Sequence, residues 1–219
     1  MRHGSAAGAP WLVAQFPTPP EAVADLGEKR CAAVKWECLG FCGVDDLTEG
    51  LRIRPGALTD APAVLDMLDG AVAWMNARGN TEQWGTIPYS RRPDGVERIE
   101  RYMTENAPHI AERDGTPVGA LVLDSGPSPQ MPIAPADEPE VYVRLLISDR
   151  RRAGQGIGAA LLAHAVEETR RAGVELLRVD CWAGGGGELV AFYERNGFTP
   201  TERFLSGTWP GQVLARRVR

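Results

Sequence analysis

The chain has 219 residues, 43% hydrophobic and 24% charged, with a net charge of −5 and four cysteines. That suits one sizeable globular domain with an appendage. The acidic balance argues against a nucleic-acid binder, no run approaches the roughly 18 apolar residues of a membrane span, and the cysteines are too sparse for a disulfide scaffold.

Residues 1–50 differ in texture from the rest. The start, MRHGSAAGAPWLVAQF, has too short an apolar run for a secretory leader, so a cytoplasmic, reducing setting is expected. Glu21 to Val34 allow one short helix. Cys31, Cys38 and Cys42 follow a Cys-x6-Cys-x3-Cys spacing without a fourth ligand nearby, so no metal site is expected. The segment reads as an extension of unassigned role, open to partial disorder. Residues 51–219 read as one folded domain.

From Leu51 the elements follow in order. LRIRPG alternates and stops at Pro-Gly, a strand. Thr59 or Asp60 can cap the next helix, Pro62 suits its first turn, and Val64, Leu68 and Val72 recur at helical spacing. Trp74 on this helix is expected in the core. DGVERIERYMTEN predicts a second helix after the loop QWGTIPYSRRP. Asp114-Gly115 predicts a hairpin between two strands. A proline-rich loop leads to the strand EVYVRLLIS, on which a regular pleat puts Glu140, Tyr142, Arg144, Leu146 and Ser148 on one face. A helix then runs to Ala172, where Glu167 can pair with Arg171. The strand VELLRVDCW, the loop GGGG, the helix ELVAFYERN and two final strands complete the chain. The expected fold class is α/β of the mixed α+β kind, a mostly antiparallel central sheet flanked by helices.

The stretch RRRAGQGIGAALL, from Arg150 to Leu162, carries the functional signal. Gly154, Gly156 and Gly158 let backbone approach a ligand closely. The helix from Ile157 aims free N–H groups and its positive dipole end at the loop. Together they form an anion cradle, with arginines at its rim. Two ligands fit. Gly154-Gln155-Gly156-Ile157-Gly158-Ala159 matches the dinucleotide pattern, and Asp180 stands near the place of a ribose-binding acid. Against this, SDRRRA separates Ile147 from the first glycine, and too little chain remains for further strand–helix units. A Walker loop is excluded because no Lys-Ser/Thr follows the glycines. The second ligand is the pyrophosphate of coenzyme A.

On that second reading the sequence resembles the GNAT superfamily of N-acetyltransferases. The resemblance covers Leu51 to about Val218. It rests on the strand–loop–helix from Val141 to Ala172, the strand Glu175 to Cys181, and a short helix with Phe192-Tyr193 ending in Asn196-Gly197-Phe198. The opening Thr59-Asp60-Ala61-Pro62-Ala63 also resembles the family. Two positions depart from it. Ala153 stands where the family has Gln or Arg, with Arg152 one residue away. Gly186 stands where the family often has Asn.

The resemblance implies acetyl-CoA as acyl donor and an N-acetyltransferase activity by direct transfer to a primary amine of a small molecule or a protein. The coenzyme would lie on Arg152, Ala153, Gly154, Gln155, Gly156, Ile157, Gly158 and Ala159, with backbone N–H groups of the Leu146–Ile147 region receiving the oxyanion. Tyr193 would protonate the leaving thiolate, since a phenol with a pKa near ~10 keeps its proton at pH 7. Glu140 is the first candidate for the base, Asp180 the second and Glu82 the third. Glu82, Trp84 and Tyr89 would offer an aromatic wall and a carboxylate to a cationic amine. Trp182 either lines the acceptor pocket or caps the core, and Cys181 reads as a buried thiol. His109 and His164 read as a strand-edge residue and a helix-surface residue. Neither nucleic acid nor membrane is expected as a partner, and homodimer formation is left open. A non-catalytic acyl-CoA sensor and an NAD(P)-dependent oxidoreductase are the alternative functions.

Overall fold

The computed structural model describes residues 50–219. The short helix and the three clustered cysteines expected in the extension lie outside the described residues. The elements are β1 (Leu51–Pro55), α1 (Ala61–Asn76), α2 (Gly95–Glu105), β2 (Ala107–Arg113), β3 (Thr116–Asp124), β4 (Glu140–Ser148), α3 (Ile157–Arg171), β5 (Leu176–Trp182), α4 (Glu188–Arg195), β6 (Thr199–Ser206) and β7 (Trp209–Arg217). Their type and order are those read from the sequence.

Seven strands form one sheet in the order β1-β2-β3-β4-β5-β7-β6. Every neighbouring pair is antiparallel except β4 and β5. A dinucleotide fold needs a run of parallel strands, so this sheet removes the oxidoreductase alternative. The β2–β3 turn takes left-handed angles at Asp114 (φ 52°) and Gly115 (φ 73°), the geometry that an Asp-Gly hairpin turn demands.

Helices cover both faces. On one face α3, α4 and the turn after α4 bury Ile157, Leu161, Ala165, Tyr193 and Phe198 against Val143, Leu177, Val179 and Leu214. On the other, α1 and α2 bury Val64, Leu68, Ile99 and Met103 against Ile110, Ala120, Val122 and Ile147. Each helix presents apolar residues at three- and four-residue spacing, so one stripe is dry and the other wet.

Three local expectations change. Asp60 makes no side-chain cap for α1. Its carboxylate instead accepts from the Ala57 N–H at 2.9 Å and from Arg54 at 2.8 and 3.0 Å. Glu167 pairs with Arg170 rather than Arg171, which pairs with Glu168. Trp74 is half-buried, not core. The guanidinium carbons of Arg78 and Arg150 stand 4.1 and 3.8 Å from its ring centroid, a cation–π arrangement on a partly exposed indole.

The largest departure is in β4. Val122 pairs with Leu145, but Leu123 pairs with Val143, so Arg144 is an extra residue. This bulge reverses the side-chain alternation. Val141, Val143 and Leu146 pack toward α3 and α4, whereas Leu145 and Ile147 pack toward α1 and α2. The expected single face from Glu140 to Ser148 therefore does not form. No described helix is long and apolar enough to cross a membrane.

Candidate active site

The parallel ladder between β4 and β5 is short. It runs from Glu140↔Leu176 to Val143↔Val179 and stops at the bulge. Beyond it, Arg144–Ser148 and Asp180–Trp182 no longer pair with each other, and the sheet splits. Successive backbone N–H groups of a strand point to opposite sides. Of the Leu146 and Ile147 N–H groups, one therefore serves the β3 ladder and the other borders the split.

The glycine loop stands at the end of β4. Gly154 and Gly156 have φ of 83° and 72°, left-handed angles at which a side chain is strained. Gly156 is the N-cap of α3, and Ala160 makes the first intrahelical bond, to the Gly156 carbonyl at 2.9 Å. The N–H groups of Ile157, Gly158 and Ala159 precede that bond and are left for an anion. A Cβ on Gly158 would stand 3.2 Å from Phe192, so this glycine also lets α4 close onto α3.

The rim arginines divide their work. Arg151 is bound by Asp149 at 2.8 and 3.0 Å and by Asp66 at 2.8 Å. Arg150 stacks on Trp74. Arg152 makes no side-chain hydrogen bond to the described residues; it stands one residue before Ala153, the position where the family has Gln or Arg. The Gln155 amide oxygen accepts from Arg113 at 2.5 Å, tying the loop to β2. Ala153 is exposed and contributes backbone alone.

Tyr193 is 5% exposed, in edge-to-face contact with Phe192 and Phe198 at centroid distances of 5.3 and 5.8 Å. Burial holds its phenol above the ordinary range, and the neighbouring Cys181 and Asp180 push it further. It is a protonated phenol across the neutral range. Burial pushes the Cys181 thiol up to about 12, with Asp180 adding to the rise, so this thiol is inert at neutral pH.

Val179 and Cys181 belong to the α3/α4 core, so Asp180 and Trp182 face the opposite side. There Asp180 accepts a hydrogen bond from the Tyr142 hydroxyl at 2.8 Å. Burial raises its carboxyl above the usual range, outweighing that hydrogen bond and the pull of Arg144. Glu140 is elsewhere. It sits at the closed end of the split, where both its oxygens are held by Arg178 at 2.5 and 2.8 Å. It borders a depression of the β3–β4 loop lined by Ser125, Met131 and Ile133, which touches neither the glycine loop nor Tyr193. The first-ranked base of the sequence reading is thus away from the coenzyme cradle, and the second-ranked one is beside the split.

The expected acceptor residues also separate. Glu82 is exposed in the loop between α1 and α2. Trp84 and Tyr89 instead pack against the α1/α2 core. Tyr89 lies under the Arg92 guanidinium at 4.5 Å, and burial raises its phenol. Trp182 is a cap. It is 6% exposed, and a Cβ on Gly184 or Gly185 would stand 2.4 or 2.6 Å from its ring. The run of glycines exists in part because the loop lies flat on this indole. The indole N–H is buried with no partner among the described residues.

Two functional supports were missed. Arg92 donates to the carbonyls of Trp84 and Ile87 at 2.5 and 3.2 Å and pins the α1–α2 loop. Trp209 donates from its indole to the Gln83 carbonyl at 3.0 Å, joining the β6–β7 hairpin to that loop. The first was visible only as a loop arginine, and the second links positions too distant for any local pattern.

The sequence matches the acetyltransferase (GNAT) family over residues 71–198, more than half of the chain. The chain belongs to that family. It is similar to YesJ, an uncharacterized N-acetyltransferase of Bacillus subtilis (strain 168), at 24% identity over 70% of this chain and 84% of that protein. Its fold is similar to that of yncA, a putative acetyltransferase of Salmonella typhimurium solved with acetyl-CoA. The TM-score is 0.54 at 17% identity, over 78% of this chain and 95% of that one. A GNAT acetyltransferase of Listeria monocytogenes gives a TM-score of 0.57 at 19% identity, over 76% and 94%. The protein is an N-acetyltransferase that takes acetyl-CoA as donor. The positive-φ glycines, the free helix N–H groups and the split β4–β5 pair are a fitting cradle for that molecule.

Proposed function

We propose that this GNAT enzyme transfers acetyl directly from acetyl-CoA to a primary amine, with Asp180 as base and Tyr193 as acid. The observation that carries the reading is the split itself. It opens beyond Val143 and Val179, next to the glycine loop that follows β4, with a buried carboxylate on the side away from α3 and α4. When bound, acetyl-CoA supplies an activated acyl thioester. Arg152 and the N–H groups from Gly154 to Ala159 hold its phosphates. The N–H group of the Leu146–Ile147 pair that borders the split stabilises charge developing on the acyl oxygen. Asp180, directly or through water, keeps the attacking amine neutral. Its raised carboxyl range brings it closer to the working pH of a general base. Tyr193 holds the proton for the departing thiolate. Glu140 in this reading is a structural anion. Glu82 and the loop pinned by Arg92 and Trp209 border the acceptor entrance. An anionic residue at the entrance and a buried carboxylate within favour a cationic amine, on a small molecule or a protein.

The test is calorimetric titration with acetyl-CoA, followed by a thiol-release assay over a panel of small amines and peptides. Saturable binding with turnover on at least one amine is expected. Binding without turnover on any member would replace this reading by the non-catalytic sensor.

A further inference from the structure

Of the three histidines in the chain, His109 and His164 lie among the described residues, and they touch. Read from sequence they are unrelated surface residues. In the fold His109 Nδ1 and His164 Nε2 are 2.9 Å apart, with the rings edge to face at a centroid distance of 4.6 Å. His164 Nε2 is 3.4 Å from Glu168 Oε1, one turn further along α3. The three donor atoms lie within 4.8 Å of one another. The cluster is not part of the cleft. His109 stands on β2 opposite Leu121, and His164 is about 10 Å along α3 from Ile157, at 1.5 Å per residue.

We propose that His109, His164 and Glu168 bind a divalent transition-metal ion of the zinc class and clip β2 to α3. Two imidazoles and a carboxylate favour zinc, cobalt, nickel or copper over magnesium or calcium, which prefer oxygen donors. A tetrahedral ion with bonds of about 2.0–2.1 Å sets its ligand atoms about 3.3 Å apart. The observed separations of 2.9 and 3.4 Å bracket that edge, so small side-chain shifts admit the ion. The His164-x3-Glu168 spacing places both donors on one side of α3. All three side chains are half-buried, which leaves a remaining position open to water.

Protonation is also suitable. Burial holds both imidazoles below the ordinary histidine range, and His164 lowers His109 further. Neutral rings offer lone pairs without proton competition. The ring that donates in this contact takes the other tautomer, its proton on the far nitrogen, when the ion enters. Glu167 and Glu168 favour a cation there, and Arg171, paired with Glu168, opposes it.

The experiment titrates Co2+ into the full chain, followed by its visible absorption, and Zn2+, followed by thermal unfolding. One equivalent is expected to bind in the micromolar range without the charge-transfer band of a cobalt–thiolate bond, which separates this site from the cysteines. At a hundredfold excess over Kd, Zn2+ should raise Tm by about 5–10 °C. His109→Asn and His164→Asn should each weaken binding by about 100-fold or more, beyond the loss caused by removing a group that only orients a ligand. Circular dichroism and acetyl transfer should be unchanged. Arg171→Gln should tighten binding. If a histidine variant does not fold, Glu168→Gln decides, with weaker binding expected. Failure to saturate below millimolar metal, a thiolate spectrum, or affinity that survives these substitutions overturns the proposal.

Discussion

Arg178→Met tests the division between a structural and a catalytic carboxylate. Arg178 and Glu140 join β5 to β4 at the closed end of the split, with side chains 11% and 5% exposed. Arg178 also donates to the Ala134 carbonyl at 3.0 Å and so anchors the β3–β4 loop. Removing the guanidinium leaves a buried carboxylate unpaired, a loss of about 3–5 kcal/mol. At about 2–4 °C per kcal/mol for a chain of this size, Tm should fall by about 6–20 °C. Glu140→Gln keeps a neutral acceptor for Arg178 and should cost less, about 1–3 kcal/mol. The double variant should recover part of the loss, because its cavity holds no orphaned charge. Thermal unfolding supplies the first readout. Initial rates of acetyl transfer, taken well below each variant's transition, supply the second and should stay near wild type. A Glu140→Gln variant with unchanged Tm and a kcat reduced about 100-fold or more would refute the reasoning and return the base to Glu140.

Tyr193→Phe should lower kcat by about 100- to 10,000-fold at nearly constant acetyl-CoA affinity, measured by steady-state kinetics beside calorimetry. Asp180→Asn should abolish the rise of kcat/KM with pH that follows deprotonation of a carboxyl held above the usual range. Because the folded state favours the protonated form, ionising Asp180 weakens folding as pH climbs from the unfolded value toward the folded one, and the loss is complete above it. The same variant should therefore melt higher than wild type at neutral pH while being inactive, and a lower Tm would contradict this. Gly156→Ala places a Cβ at a left-handed N-cap, a strain of about 1–2 kcal/mol, and should weaken acetyl-CoA binding by about tenfold in the same titration.

Much of the fold was legible because its signals are local. The strand Glu140–Ser148, the helix start at Ile157 and the Asp114-Gly115 turn each follow from residues within a few positions of one another. The cradle was legible for the same reason, since glycine spacing and a helix N-terminus form one continuous stretch. Tyr193 was singled out by the resemblance of its short helix, Phe192-Tyr193 ending in Asn196-Gly197-Phe198, to the family pattern. The base was harder. Glu140 and Asp180 are both carboxylates on core strands, and their fates depend on Arg178 and Tyr142, partners set by strand pairing rather than by neighbours in sequence. His109 and His164 are 55 positions apart, so their meeting has no sequence signature. Trp84 and Tyr89 were read as a wall because aromatic residues in a loop suggest a ligand. Arg92, which draws that loop onto the α1/α2 core, does not announce its role in the sequence.

The bulge at Arg144 connects these outcomes. A regular β4 would continue its ladder with β5 past Val143, and the two strands would leave no split. It would also turn Leu146 toward α1 and α2, and Leu145 and Ile147 toward α3, putting the wrong side chains in both cores. One extra residue lets the first half of β4 keep Glu140 and Arg178 joined while the second half diverges. Arg144 then interacts with Asp124 at 3.5 Å and stands 5.7 Å from the Tyr102 ring, so the bulged residue is itself held. The closed half of the strand pair supplies rigidity, and the open half is where the proposed site lies. The proposed base belongs in the open half, where the Asp180 carboxylate is buried with no guanidinium among the described residues hydrogen-bonded to it and only the longer-range pull of Arg144.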